Sequence, residues 1–161
     1  MRIIVIADTH GNYAALKKII LRNFDADWII HLGDGEKEVE EFSLKYPQVS
    51  KKIVRVAGNC DYESMQNDVI TLPVTPEHRI FITHGHKYNV YTSTDDIKKH
   101  AHINGCDIVL FGHTHARYMA QEDGMYIMNP GSASCPRDGN KPSFGHIDIS
   151  PAGIMMNIAD I

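Results

Sequence analysis

Met1-Arg2-Ile3-Ile4-Val5-Ile6-Ala7-Asp8-Thr9-His10 opens the chain with an apolar run that ends abruptly in a carboxylate and an imidazole. The run Ile3–Ala7 reads as a buried first strand rather than a signal peptide, because it passes at once into Asp8 and His10. The same arrangement recurs four times. Trp28–Leu32 leads into Gly33-Asp34, Ile53–Ala57 into Gly58-Asn59-Cys60-Asp61, Ile80–Thr83 into His84-Gly85-His86, and Ile108–Phe111 into Gly112-His113-Thr114-His115. Loops that leave the carboxyl ends of strands in an α/β sheet converge on one crevice. Asp, His and Asn side chains gathered there suit one or two divalent cations, which points to a metallohydrolase.

Outward from these strands, residues 12–22 read as a helix with Ala15, Leu16, Ile19 and Ile20 on one face. A second helix spans 36–46, with Val39 and Phe42 apolar and Pro47 as its exit. A third spans 94–104, with Ser93 or Thr94 as cap and Gly105 as stop. Strands, ligand loops and helices thus alternate through about two-thirds of the chain, as βα units do. Val69–Leu72 and Arg79–Thr83 read as further strands. After Gly112 the pattern changes to short strands at Arg117–Gln121, Met125–Met128, Ser143–Ile149 and Ile154–Ile158. Asp123-Gly124 is a natural hairpin turn, and Ala152-Gly153 turns the last pair. With no repeat or linker, the expected organisation is one domain over residues 1–161, two packed sheets with helices outside.

Composition narrows the function classes. A chain of 161 residues with 43% hydrophobic and 22% charged residues is long enough to bury a core. The net charge of −4 gives no overall attraction to nucleic acid or anionic membranes. No apolar run is long enough to cross a bilayer. Cys60, Cys106 and Cys135 are odd in number and contain no Cys-x-x-Cys pair, which favours a reducing cytoplasm over a thiolate zinc site.

Each ligand segment has a bland reading beside the chemical one. Asp8 and His10 lie at i and i+2, so both reach one ion from an extended stretch, or Asp8 caps the next helix. Asp34 has two oxygens and could bridge two cations, or Gly33-Asp34-Gly35 is an ordinary turn. Asn59 offers a neutral oxygen, or it too is a turn residue. Cys60 could donate a proton, although a thiol pKa of about 8.5 matches neutral acid catalysis poorly. The paired units His84-Gly85-His86 and His113-Thr114-His115 are hard to explain by packing, and imidazole is the commonest metal ligand. His31 reads as a sheet histidine, and His78, His100, His102 and His146 as surface or sheet residues. Ser132 and Arg137 could meet phosphate oxygens, Ser132 through the turn that starts at Asn129.

Taken in order from Asp8 to Ser132, these segments resemble the calcineurin-like metallophosphoesterases, most closely the small bacterial and archaeal phosphodiesterase branch. The resemblance implies a four-layer α-β-β-α sandwich with a dinuclear centre at the rim of two mixed sheets. It assigns Asp8, His10, Asp34 and His115 to one cation. The second shares Asp34 and takes Asn59, His84 and His113. Manganese is the expected metal, with iron, nickel, zinc or magnesium as alternatives. Many members carry a histidine where this chain has Cys60; His86 is then the nearest general-acid candidate, and substrates with good leaving groups should fare best.

The implied reaction is hydrolysis of a small phosphodiester or phosphomonoester, with hydroxide from a metal-activated water attacking phosphorus in line. Asp34, Asn59, His86 and Cys60 are its candidate catalytic residues. Nucleic acid enters only as a substrate, and exposed edge strands allow a homodimer or higher homo-oligomer. The rival reading is a non-catalytic protein-binding scaffold similar to the small retromer subunit, which also lacks the motif histidine.

Overall fold

A computed structural model describes residues 1–161. The opening run forms β1 (Arg2–Ile6) at the centre of a five-stranded sheet. Parallel to it run β2 (Trp28–His31) and then β3 (Ile53–Arg55), with Val5 opposite Ile30 and Ile30 opposite Val54. The connections carry α1 (Tyr13–Arg22), α2 (Glu36–Lys45) and the single turn α3 (Pro47–Ser50). The second sheet takes β4 (Val69–Pro73), β5 (Arg79–Thr83), β6 (Ile108–Leu110), β7 (Arg117–Glu122) and β8 (Met125–Pro130), in the order β4-β5-β6-β8-β7. α4 (Asp95–Ile103) links β5 to β6. The chain then returns to the first sheet as β9 (Ser143–Ser150) and β10 (Gly153–Asp160), completing the order β10-β9-β1-β2-β3.

The unbroken apolar run of β1 follows from burial on both faces. Ile3, Val5 and Ala7 meet Ile80, Ile82 and Leu110 of the opposite sheet. Ile4 and Ile6 face the other way, onto Leu16, Ile19 and Ile20 of α1 and Val39 and Phe42 of α2. Across the molecule Phe81, Val109 and Ile127 pack on Ile97 and Ala101 of α4. The layers are therefore α-β-β-α, as the resemblance implied. Each fully buried Ile or Phe contributes about 1.5–3 kcal/mol relative to exposure, so the middle layer dominates stability.

Local chemistry explains the element ends. Asn12 Oδ1 accepts from the Ala15 N–H at 3.0 Å and starts α1. Of the two expected caps for α4, Ser93 supplies the bond, accepting from the Asp95 N–H at 3.0 Å, while Thr94 occupies the cap position without one. Asp123-Gly124 makes the two-residue turn between β7 and β8, with φ of 52° and 77°. Pro47 does more than end α2: it begins α3, because a proline costs a helix nothing at its first position. The strand expected over 53–57 stops at Arg55, and the Ala57 N–H turns to the Asn67 carbonyl at 3.0 Å as the chain bends into Gly58.

The three parallel strands of each sheet end at one rim. Bonds across it join the sheets: the His113 N–H reaches Asp8 Oδ2 at 3.2 Å, and the Ala133 N–H reaches the Ala7 carbonyl at 3.0 Å. The motif-bearing loops all leave from this rim. No helix of the chain is long and apolar enough to cross a membrane.

Candidate metal centre

Asp8, His10, Asp34 and His115 each turn a ligand atom into one cluster whose atoms lie within 4.8 Å of one another. His10 Nε2 and His115 Nε2 stand 3.1 Å apart, and His115 Nε2 is 3.2 Å from Asp8 Oδ1. Donors held at 2.0–2.2 Å by one ion sit roughly 3 Å from each other, so this spacing is that of a coordination shell. Asp8 Oδ1 is buried without any hydrogen-bond partner, an arrangement that a cation would satisfy. Asp34 Oδ2 lies 3.6 Å from His10 Nε2 and 3.5 Å from His84 Nε2, between two groups of ligands. On the far side, His84 Nε2 meets Asn59 Oδ1 at 3.1 Å, and the His113 ring lies edge-on to His84 at 5.1 Å between centroids.

The loops hold this arrangement at a conformational cost. Asp8, His10, Asp34, His113 and His115 all have positive φ, between 42° and 68°. Non-glycine residues rarely adopt that region, and such strain persists only where surrounding structure over-determines it. Gly58 is required for a different reason: a Cβ there would run into the Asp34 carboxylate.

Outer contacts fix how the ligands point. His84 Nδ1–H donates to the Leu32 carbonyl at 2.7 Å and His115 Nδ1–H to the Cys135 carbonyl at 2.8 Å. Both rings therefore keep the Nε2 lone pair for the centre. Behind Asp8 and His10, the Gly33 N–H donates to His31 Nδ1 at 3.3 Å, so His31 carries its proton on Nε2, facing Thr9 Oγ1 at 3.2 Å. The Thr9 hydroxyl donates in turn to Glu38 Oε1 at 2.9 Å, which also accepts the Gly11 N–H. Asp61 gathers the N–H groups of Asp34, Gly35, Glu36 and Gly58 at 2.7–2.9 Å. Burial opposes the charge of Asp61, but those four bonds outweigh it and hold its pKa below the ordinary value. Asn129 binds the Gly112 carbonyl and the Thr114 hydroxyl, setting the turn that presents His113 and His115.

Titration follows the same surroundings. Burial would lower His115, yet the Asp8 carboxylate 3.2 Å away prevails and its pKa lies above the ordinary value. Burial and the neighbouring His84 lower His113, and the same two causes lower His86. Complete burial pushes His31 down to about 4. Burial and the bond to Asp34 push the Cys60 thiol up to about 11.

The remaining expected residues divide. His86 stands beside the centre, 5.4 Å from His84 and 6.2 Å from His113 between ring centroids, with Nδ1 buried and unpartnered. Cys60 is exposed next to Asn59, its backbone N–H donating to Asp34 Oδ1 at 2.7 Å. Arg137 is exposed and donates to the Tyr91 hydroxyl at 3.2 Å. Ser132, expected to face phosphate through the backbone N–H groups of its turn, is fully buried, and its hydroxyl donates to the Asp8 carbonyl at 2.7 Å and accepts the Cys135 N–H. Its hydroxyl braces Asp8 from behind. His31 stays out of the ligand set as expected, yet it supports that set through Thr9. The positioning roles of Thr9, Glu38, Asp61 and Asn129 went unread in the sequence. A buried carboxylate one residue from an otherwise apolar helix face (Glu38) was the available signal.

The chain is similar to known proteins along most of its length. Residues 1–151 match the family described as the calcineurin-like phosphoesterase superfamily domain. The probable metallophosphoesterase YsnB of Bacillus subtilis is 31% identical over 85% of this chain and 78% of its own. The phosphodiesterase YfcE of Escherichia coli is 27% identical over 92% of this chain and 88% of its own. Among solved structures, Vacuolar Protein Sorting 29 from Cryptosporidium parvum superposes with a TM-score of 0.76 at 15% identity, over 99% of this chain and 97% of that one, a likeness of fold. The chain belongs to the calcineurin-like phosphoesterase superfamily.

Proposed function

We propose that this chain is a phosphodiesterase that uses two divalent cations, manganese in the first instance, to hydrolyse a small phosphoester. The observation that carries this reading is Asp34, whose Oδ2 lies equally near His10 and His84 and so faces both ligand groups. Asp8, His10, Asp34 and His115 would hold one ion, and Asp34, Asn59, His84 and His113 the other. When bound, such a pair lowers the pKa of a shared water towards neutrality and neutralises charge on phosphate oxygens. The chain's own part is to aim the His84 and His115 rings, through the Leu32 and Cys135 carbonyls, and to keep Asp8 dry.

Arg137 is a cation without an acidic partner at the edge of the centre. His86 is the histidine best placed to meet a leaving group, and its lowered pKa leaves it mostly neutral at pH 7. Cys60 keeps its proton at that pH but gives it up weakly. Protonation of the departing oxygen is therefore feeble, and phenolate-type leaving groups should react far faster than alkoxides. Three unpaired cysteines support a reducing cytoplasmic setting. The edge strands β10, β3, β4 and β7 are candidate surfaces for self-association.

The test is turnover of bis(p-nitrophenyl) phosphate by protein reconstituted with manganese. Steady hydrolysis that a chelator abolishes and manganese restores is the expected result. One observation favours the scaffold reading, namely Cys60 in place of the usual motif histidine. Negligible turnover with manganese, iron, nickel, zinc and magnesium alike would favour that scaffold and remove the enzyme.

A further inference from the structure

The metal centre has two unlike flanks. On the side of His10 and Cys60, a small cavity of about 260 Å³ is walled by the carboxylates of Glu36, Glu38 and Asp61. On the side of His113, a cavity of about 620 Å³ is lined by Tyr91, Phe111, Thr114, Tyr118, Arg117 and Arg137. The two arginines differ. Arg117 is committed to Asp160 at 2.6 Å, to Ser143 Oγ and to the Lys141 carbonyl. Arg137 has no acidic partner and rests on the Tyr91 hydroxyl. Tyr91 in turn donates to the His113 carbonyl at 3.1 Å, and its ring stands edge-on to the His113 imidazole at 5.1 Å. Tyr91 is 61% exposed, its ring beside the candidate ligand His113 and its hydroxyl bonded to an arginine without an acidic partner.

Resting on the phosphodiesterase reading, we infer that Tyr91 and Arg137 form a specificity subsite for a planar aromatic arm of the substrate ester. The phosphoryl group sits at the cations and the flat ring lies against Tyr91, with Arg137, bonded to the Tyr91 hydroxyl, at the ring's outer edge. An arm of this kind cannot be placed equally on the opposite flank, which is narrower and ringed by negative charge. The arrangement is specific to side chains on two loops far apart in sequence, at residues 91 and 137. A hydroxyl bridge runs from Arg137 through Tyr91 to the His113 carbonyl.

The experiment compares phenylphosphonate with methylphosphonate on manganese-loaded protein, by calorimetry and as competitive inhibitors. The two share a headgroup and differ only by the ring. Stacking on an aromatic side chain is worth about tenfold or more in affinity. Wild type should bind phenylphosphonate about tenfold more tightly, Tyr91→Phe should keep most of that ratio, and Tyr91→Ala should bring it near one. Arg137→Ala should narrow it about threefold. Equal affinity in wild type, or a ratio unchanged in Tyr91→Ala, overturns the subsite even if diester hydrolysis is robust. Absence of hydrolysis with the ring preference intact would overturn the reaction and leave the subsite standing. Failure of both phosphonates to bind removes both.

Discussion

The two halves of the proposed metal centre are built to different standards. Around Asp8, His10 and His115 almost every neighbouring group is fixed from behind. Ser132 holds the Asp8 carbonyl, Cys135 orients His115, and the chain from His31 through Thr9 to Glu38 ties the Asp8–Gly11 loop to α2. Around Asn59, His84 and His113 only His84 is both buried and oriented, by the Leu32 carbonyl. Asn59 is exposed, and beyond His84 its amide touches only the Cys60 thiol. A ligand set that is pre-organised binds more tightly than one that must be ordered on binding. On the two-cation reading, the Asp8 half loads first and the Asn59 half second.

The severest way to break this comparison is to remove the atom both halves share. Asp34→Asn should lower manganese-dependent diester hydrolysis on the order of a thousandfold, beyond the ten- to hundredfold typical for loss of an outer partner. Bound manganese should fall in both halves, measured by elemental analysis after gel filtration. Full metal content in Asp34→Asn would mean that the halves are independent.

Proton linkage probes the brace behind the better-built half. His31 is wholly buried and its pKa lies near 4, against 6.5 in the unfolded chain. Below pH 6.5 the unfolded chain takes up a proton that native His31 refuses, so this contribution is present above 6.5 and disappears as pH falls through about 4. The depression corresponds to about 3 kcal/mol of stability in the metal-free protein. Urea unfolding between pH 7 and 4 should show that loss, and His31→Gln, which keeps hydrogen-bonding capacity, should flatten the slope. Equal slopes in the two proteins would remove His31 from the account.

How much of this was legible in sequence differs between the halves too. Strand runs that end in ligands are short-range patterns, so the sheet cores, the order of the helices and the positions of Asp8, His84 and His115 could be read directly. The hairpin at Asp123-Gly124 was equally plain, since few dipeptides accept two positive φ angles. What escaped depends on long-range packing. Ser132 follows Pro130-Gly131 and looks like part of an open turn, yet that turn folds inward and spends its hydroxyl on a residue 124 positions away. Asp61 lies inside a recognised motif, but three of its four backbone partners belong to another loop, which no local pattern announces. Pro47 was read as a stop because a helix exit and a helix first turn use the same residue.

A milder challenge is to weaken the brace without touching a ligand. Glu38→Gln keeps the shape but replaces a charged acceptor for the Thr9 hydroxyl and the Gly11 N–H with a neutral one. Manganese affinity of the first half should drop about tenfold, within the range for outer-partner mutations, while the second half changes little. Calorimetric titration resolves the two events. An equal drop in both would show that Glu38 supports the fold as a whole.

The smallest effect sharpens the order of loading. On the two-cation reading Asn59 would supply a neutral oxygen from an exposed loop, so its loss would remove one weak ligand and leave no buried charge uncompensated. Asn59→Ala should weaken only the second manganese, by about tenfold or less given that an outer partner alone is worth that much. At limiting manganese the variant should hold one ion where wild type holds two, with the first dissociation constant unchanged. Two equal losses, or a first event weakened more than the second, would reverse the order inferred from burial. The Asp8 half would then owe its tight packing to the fold, and metal affinity would have to be sought in the Asp34–His84 pair.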